Sequence, residues 1–170
     1  MTITEALAEI KTVGKRIASK KEFVSKYLFR VETMKDPLEK DGGSSVVLRQ
    51  ELQAIADLEQ RVVDLRRGIQ KANDETKLTI EGVEKSISDW LIWRREVSEG
   101  HKSFLRSIRS GITQIRDEAR RQKLSGTEKP LEVIINVDEK AISAEAEKLE
   151  VTLGTLDGQL SLKNATVMVA

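Results

Sequence analysis

The sequence predicts a mainly α protein in which long helices pack lengthwise, with one short β element. In each helical stretch, apolar residues recur alternately three and four positions apart, the spacing of helices that pack along one another. The composition agrees, because 34% of the residues are charged and only 4% are aromatic, as in coiled coils and long bundles. We expect a single elongated domain over residues 1–170, with a long antiparallel helical hairpin, a long third helix and a C-terminal helix.

The first helix is predicted over residues 3–35. Thr2 and Glu5 have the spacing of a capping box, in which each side chain bonds the backbone N–H of the other residue. Pro37 disfavours helical geometry in the residue before it, so we expect the helix to end just before Asp36.

The second helix is predicted over residues 46–73. It follows the turn Gly-Gly-Ser-Ser at residues 42–45, in which either serine is a candidate N-cap. Two helices of similar length that are joined by a short polar loop predict an antiparallel hairpin.

The third helix is predicted over residues 80–121 and has the longest seam of apolar positions. The seam residues are Ile80, Val83, Ile87, Trp90, Arg94, Val97, His101, Phe104, Ile108, Gly111 and Ile115. A glycine costs about 1 kcal/mol relative to alanine in an exposed helix, so we interpret Gly100 and Gly111 as bends or points of close approach.

The β element is predicted at residues 131–137, a β-branched run bounded by Pro130 and Asp138. A lone strand leaves its backbone groups unpaired, so we expect it to pair with residues 77–80 or with the same strand of a second subunit. Asp138 then caps the last helix, which is predicted over residues 139–164.

Charge and composition exclude several classes of function. The chain has 29 basic and 28 acidic residues, so no global field attracts it to nucleic acid or anionic lipid. It has no cysteine, which excludes disulfides, thiolate zinc sites and cysteine nucleophiles. We find no phosphate-binding glycine loop, nucleophile elbow or HExxH motif, and we predict no enzymatic activity, no metal and no cofactor.

No stretch approaches the roughly 18 to 20 uncharged apolar residues that a membrane span requires, and the first residues show no signal-peptide core. We therefore expect no membrane partner and a cytoplasmic location where the protein is synthesised.

Several residues are candidates for contacts between subunits. They are Trp90, Arg94, His101, Phe104, Val133, Ile135, Leu153 and Leu156. His101, the single histidine, has an alternative interpretation as a metal ligand, catalytic base or pH switch, but we favour a polar seam residue that fixes register. For Arg94 we favour an interhelical ion pair over a catalytic role.

Two tryptophans, Trp90 and Trp93, lie about one helical turn apart. Such a pair can form a ligand pocket, but large aromatic residues at helical spacing are more often core or interface anchors. We favour the second interpretation.

Charge is unevenly distributed along the second half of the chain. Residues 94–123 include nine Lys or Arg and four Asp or Glu, whereas residues 138–170 include three Lys and six acidic residues. A nucleic-acid site in the first segment would use Arg106, Arg109, Arg116, Arg120, Arg121 and Lys123. Phe104 is the only aromatic residue that lies among these cations in the sequence, so the aromatic side chains on which nucleic-acid bases would stack are missing. We therefore favour electrostatic attraction between the two segments.

The order of these landmarks resembles that of the septicolysin-like proteins, a family of small, largely uncharacterised bacterial helical proteins. Three stretches are similar to that family. They are Glu5-Ala6-Leu7 with Lys15-Arg16-Ile17, then Ile69, Asn73, Thr76, Leu78 and Gly82, and finally Val137-Asp138, Leu149, Leu156-Asp157 and Gln159 through Asn164. The resemblance implies a helical fold with one β element and self-association, and it implies no catalytic residue.

The function hypothesis is a non-enzymatic, self-assembling structural protein that forms a homo-oligomer. One version is a phage or prophage virion component, such as a capsid, neck or tail accessory, whose partners would include other virion proteins. The alternatives are a cytosolic septicolysin-like protein of unknown role and a nucleic-acid-binding helical module that uses residues 94–123.

Overall fold

A computed structural model of the chain describes residues 1–126, 128–129 and 132–169. The protein is mainly helical with a small antiparallel sheet, which confirms the predicted fold class. Its contacts group the chain into two compact units, one formed by residues 1–76 and 161–169 and the other by the described residues from 77 to 160. The single elongated domain therefore stays a prediction.

The first unit is an antiparallel helical hairpin. Helix α1 (Ile3–Lys26) begins at the predicted capping box, with the Glu5 amide donating to the Thr2 hydroxyl over 3.2 Å and the Thr2 amide donating to the Glu5 carboxylate over 2.7 Å. Helix α2 (Ser44–Glu75) returns alongside α1. Three ion pairs join them in antiparallel register: Lys20–Glu51, Lys21–Glu59 and Glu9–Arg61. The predicted hairpin is confirmed.

Helix α1 ends at Lys26, so the predicted end near residue 35 is wrong. Helix α2 begins only at Ser44, and beyond Lys26 a longer α1 would run without a neighbour to bury its apolar side. Because isolated helical turns are marginal in water, the chain leaves the helix there and forms a loop with a short 3₁₀ turn at Glu39–Asp41.

The cap of α2 comes from a carboxylate that precedes the turn. Neither serine caps the helix as predicted. Instead, Asp36 accepts hydrogen bonds from the backbone N–H of Leu38 and of Ser44, each over 2.9 Å, and from the Ser44 hydroxyl. These hydrogen bonds, the hydroxyl of Ser44 first, lower the pKa of Asp36 to about 2.

The last described residues of the chain pack on the start of α1. Thr2 and Met168 form a β-bridge, the amide of Ile3 donates to the carbonyl of Val167 over 3.1 Å, and the amide of Val169 donates to the carbonyl of Met1 over 2.8 Å. The apolar core of the unit lies beneath this bridge. It contains Ile3, Ala6, Leu65, Ile69 and Ala72, with Ile10, Val167 and Val169 packed against them.

The second unit begins with a β-hairpin. Strands β1 (Lys77–Ile80) and β2 (Val83–Ser86) pair in antiparallel register from Lys77 with Ser86 to Ile80 with Val83. Glu81 and Gly82 make the two-residue turn, both with positive φ. The third helix therefore does not begin at residue 80 as predicted, because residues 77–86 form this hairpin.

The predicted strand at residues 131–137 is wrong where it can be judged, because residues 132–137 form no strand. Leu131 lies outside the described residues. The β propensity of β-branched residues reflects how well they pack on a pleated, half-buried sheet surface. In the described part of the chain no strand pairs with this segment, so that surface is missing. The β element lies instead at the hairpin, where a two-residue turn brings two strands together.

A long, nearly continuous helical segment follows the β-hairpin. It consists of α3 (Ile87–Trp93), a π-helical turn at Arg94–Ser98, and α4 (Glu99–Leu124). Ser86 caps α3, with the Asp89 amide donating to its hydroxyl over 3.0 Å. Helix α5 (Glu139–Thr166) closely matches the predicted last helix.

The core of the second unit joins the β-hairpin, α3 and the C-terminal half of α5. Its buried residues are Leu78, Ile80, Ile87, Trp90, Leu156 and Leu160, and Trp93 packs against them. The indole N–H of Trp90 donates to the Leu78 carbonyl over 3.2 Å, which satisfies the polar atom of this buried ring.

Candidate functional site: an uncharged face on helix α4

The basic and acidic segments of the second half pair with each other inside one chain. Three ion pairs join the segment from α3 to α4 with α5: Arg94–Asp157 at 2.6 Å, Lys102–Glu150 at 2.7 Å, and Arg116–Glu139, in which both guanidinium N–H groups contact the carboxylate. A ring nitrogen of His101 also lies 2.8 Å from the Glu145 carboxylate. The order of the three ion pairs runs antiparallel along the two helices. Exposed pairs of this kind contribute little stability each, so their main effect is to set register.

The π turn at Arg94–Ser98 changes which side of the helix is buried. A π turn contains one residue more than an α turn, so every later residue is rotated by about 100° from the position that a regular helix would give it. Ser98 is fully buried in this turn, and its hydroxyl donates to the Arg94 carbonyl over 2.6 Å.

The buried stripe of α4 is therefore displaced by one residue from the predicted seam. Leu105 is 3% exposed, whereas the predicted seam residue Phe104 is 60% exposed. Among the residues of α4, all of which the structure describes, Leu105 alone is buried. Of the predicted seam residues from the π turn onward, Val97, Phe104 and Ile115 are thus exposed, whereas His101 and Ile108 are half-buried.

We call this exposed surface the α4 face. It consists of Val97, Gly100, Phe104, Ser107, Ile108, Gly111 and Ile115. Val97 is 50% exposed and Ile115 is 38% exposed, while Ile108 is half-buried. None of these residues is charged, although 34% of the chain is. An uncharged, partly apolar stripe on a charged helix is therefore the candidate surface for contact with another molecule.

Two glycines on the α4 face are not required by packing within the chain. A Cβ added at Gly100 or at Gly111 would meet nothing within 4 Å. Each glycine nevertheless costs about 1 kcal/mol relative to alanine in an exposed helix. Close approach of a partner is a physical reason for keeping them.

The other interface candidates lie in different environments. The structure buries Trp90 and Leu156 in the core of the second unit, which accounts for both apolar positions without a partner. Leu153 is half-buried on α5, and Val133 and Ile135 are half-buried in a segment without regular structure. Arg94 forms an ion pair with Asp157 of α5, and a ring nitrogen of His101 lies 2.8 Å from a carboxylate oxygen of Glu145 on the same helix.

The six cations of the alternative nucleic-acid site are all exposed. Arg116 pairs with Glu139, and Arg121 pairs with Glu118. The remaining four, Arg106, Arg109, Arg120 and Lys123, have no carboxylate within ion-pair distance in the part of the chain that the structure describes. However, Arg106 and Arg109 line a groove of about 600 Å³ that also contains Glu147 and Glu150, so its field is mixed.

Within the described residues, no group of three or more His, Asp or Glu side chains is arranged to hold a metal ion. None of the described helices is long and apolar enough to cross a membrane.

Sequence reasoning missed the β-hairpin and the π turn. The first had a signal, since Leu78 and Ile80 alternate with polar residues before Glu81-Gly82, and a glycine in that position is typical of a tight hairpin turn. We find no residue pattern that marks the π turn. Comparisons with protein-family models, with curated proteins and with solved structures find no match for this chain.

Proposed function

We propose that this protein is a non-enzymatic structural protein that self-associates through the α4 face. The observation that carries the proposal is the exposure of a stripe with heptad spacing that begins in the π turn, at Val97, and continues along α4. Val97, Phe104 and Gly111 follow one another at intervals of seven residues, and so do Ile108 and Ile115. This is the arrangement by which one helix buries a stripe against another.

A second copy is a suitable partner because the α4 face is self-complementary. In an antiparallel pair of α4 helices with a two-fold axis at the level of Arg106, Ile108 of one copy lies opposite Phe104 of the other. The same axis places Ile115 opposite Val97. A two-fold contact of this kind closes on itself and uses the same patch on both subunits.

The test is the oligomeric state of two matched variants, measured by sedimentation equilibrium at micromolar concentrations. Phe104→Glu puts a charge at the centre of the α4 face, so we expect self-association to weaken at least tenfold. Leu124→Glu is the control, because Leu124 is an apolar residue of the same helix that is 82% exposed and lies about 160° around the helix from Phe104.

We expect L124E to associate like the unaltered protein. A monomeric unaltered protein at micromolar concentration would rule out the proposal, and equal association of F104E and L124E would exclude the α4 face as the contact.

One context for such an assembly is a phage or prophage virion, in which the protein would be a capsid, neck or tail accessory. The alternative context is a cytosolic protein of the septicolysin-like type, which that resemblance implies. Neighbouring genes separate the two: capsid and tail genes would support the virion context, and an isolated place in a bacterial operon would favour the cytosolic one.

A second candidate function is nucleic-acid binding. It is favoured by one observation, the four exposed cations at Arg106, Arg109, Arg120 and Lys123 that pair with no described carboxylate. Binding through them would weaken steeply with salt, since phosphate contacts release counterions. Unchanged mobility of labelled DNA and RNA at low salt would exclude it.

A further inference from the structure

The second unit contains a cavity of about 580 Å³, which is within the usual size range of small-molecule sites. Residues of the β-hairpin, of the helical segment from α3 to α4, and of α5 line it. Its apolar wall includes the buried side chains of Ile80, Trp90 and Leu149. We call it the tryptophan pocket.

Two indole rings form a rigid aromatic corner in this pocket. Trp90 and Trp93 pack edge to face, with ring centroids 5.5 Å apart and an interplanar angle of 90°. The hydrogen bond from the Trp90 indole to the Leu78 carbonyl fixes the orientation of the first ring. Trp90 is 4% exposed, so the ring surface that this corner offers to a flat apolar group is mainly that of the half-buried Trp93.

The carboxylates at the pocket are already engaged. Glu145 contacts His101 over 2.8 Å, and the carboxylate of Glu81 accepts a hydrogen bond from the hydroxyl of Thr152 over 3.0 Å. Thr152 is itself buried, so this second contact holds Glu81 at the rim.

The ammonium groups at the pocket, in contrast, have no carboxylate partner. Lys85 lies over the ring of Trp90, with its Nζ 5.1 Å from the ring centroid. Neither Lys85 nor Lys148 has a carboxylate within ion-pair distance among the residues that the structure describes. These two ammonium groups can therefore bind the carboxylate of a ligand, beside the two carboxylates of Glu81 and Glu145 that also line the pocket.

The backbone around the pocket has two uncommon features. Glu81 has a φ of +50°, a conformation that costs a non-glycine residue roughly 1 kcal/mol or more. Trp93 directly precedes the π turn, and His101 follows it. Strained residues and π turns occur often at functional sites, where surrounding contacts maintain them.

We propose that the tryptophan pocket binds a small aromatic anion, whose flat ring packs in the indole corner while its carboxylate is held by Lys85 and Lys148. The two lysines come from different elements, β2 and α5, so the site is assembled by the fold rather than by one exposed helix. The proposal does not depend on self-association, because no residue that it uses belongs to the α4 face.

The experiment compares two probes that differ only in charge. Binding of 2-naphthoate and of the neutral 2-naphthamide is measured at pH 7 by titration calorimetry. We expect naphthoate to bind about tenfold more tightly than the amide, because only the carboxylate can accept charged hydrogen bonds from the lysines. Equal affinity for both probes, or no binding of either at millimolar concentration, would refute the assignment.

Two further measurements locate the binding. Lys148→Gln should lose most of the preference for naphthoate, whereas Lys140→Gln, an exposed lysine of the same helix that does not line the pocket, should retain it. The chain has two tryptophans, so each gives its own indole N–H signal in a nitrogen–proton spectrum, and Trp93→Phe assigns them. Naphthoate should shift both signals. Binding that K148Q leaves unchanged, or that moves neither indole signal, would contradict the proposal.

Discussion

Helices α1 and α2 of the first unit and helices α4 and α5 of the second are both antiparallel pairs tied by ion pairs, yet α1 and α4 differ in how many residues they bury. Helix α1 buries Ile3, Ala6 and Val13. Helix α4, which is slightly longer, buries Leu105 alone among its residues, all of them described. Ion pairs join antiparallel helices in both pairs. The difference therefore lies in the direction that the apolar residues of α1 and of α4 face.

The comparison teaches that heptad spacing in a sequence predicts an apolar stripe along a helix but does not identify the helix or molecule that buries it. In α1 the buried residues Ile3, Ala6 and Val13 meet a neighbour in the same chain, although Leu7, which the heptad spacing places on the same stripe as Ile3, is 39% exposed. In α4, which follows the π turn at Arg94–Ser98, Leu105 is buried and the seam residue Phe104 is exposed, so ion pairs to α5 hold the helix while part of its apolar stripe remains exposed.

The largest expected effect is the loss of stability when a buried leucine is replaced by alanine. We compare two such leucines, one from each helix pair. Leu65→Ala removes a side chain enclosed by Ile3, Ala6 and Ile69, and we expect it to lower the free energy of unfolding by about 3 to 4 kcal/mol. Leu105→Ala should cost about 2 kcal/mol, because Leu105 borders an open groove into which water can enter. Urea unfolding measures both.

The exposed Leu124 supplies the control for this pair, since Leu124→Ala should change stability by less than about 0.5 kcal/mol. If L105A cost more than L65A, α4 would be packed as tightly as the first unit, and the contrast between the two helix pairs would fail.

An intermediate effect tests the π turn directly. The chain has no cysteine, so single cysteines can be labelled without background. We expect the thiol of Phe104→Cys to react more than tenfold faster than that of Leu105→Cys, since only buried sites require local opening before they react. Labelling is measured at nanomolar protein concentration, so that self-association does not protect the thiol of F104C.

Deletion of Glu96, an exposed residue within the π turn, should reverse this order. Removing one residue restores regular helical phase and rotates α4 by about 100°. Deletion of Asp117, on the exposed side of α4 beyond both cysteines, is the matched control and should leave the order as it is. An unchanged order in the Glu96 deletion would mean that the π turn does not set the phase of α4.

The smallest effect concerns the loop of the first unit. The pKa of Asp36 is lowered to about 2, from about 3.9 in an unfolded chain, so the ionised carboxylate stabilises the fold above the unfolded value. That contribution should be lost as the pH falls from about 4 to about 2. Free energies of unfolding measured across this window should fall less steeply for Asp36→Asn than for the unaltered protein.

Asp41→Asn, an exposed carboxyl of the same loop, is the control for this prediction. Its pH dependence should follow that of the unaltered protein. A parallel decline in D36N would show that the cap of α2 does not depend on the Asp36 charge.

Much of the fold follows from local sequence signals. The capping residues Thr2 and Asp138, together with the apolar spacing, predict the α1–α2 hairpin and helix α5. The end of α1 was not predictable from Pro37, because the extent of a helix depends on the neighbour that it packs against, here an α2 that begins at Ser44.

The candidate site was predictable only in part. The spacing of Phe104 and Ile115 placed them on one stripe, and the uneven charges predicted the ion pairs between α4 and α5. The exposure of this stripe was not predictable, because it depends on a single extra residue in a helical turn. The hydrogen bond from the Ser98 hydroxyl to the Arg94 carbonyl does not mark the extra residue either, because a serine makes the same local contact in a regular helix.

The β-bridge between Thr2 and Met168 bears on the order of folding. It joins residues from opposite ends of the sequence, so its formation requires closing a loop of almost the whole chain, and the entropic cost of closure grows with loop length. Local helices and the α1–α2 hairpin need no such closure. We therefore expect the bridge to form late in folding, and we expect the last residues to detach from Ile3 before the rest of the first unit unfolds.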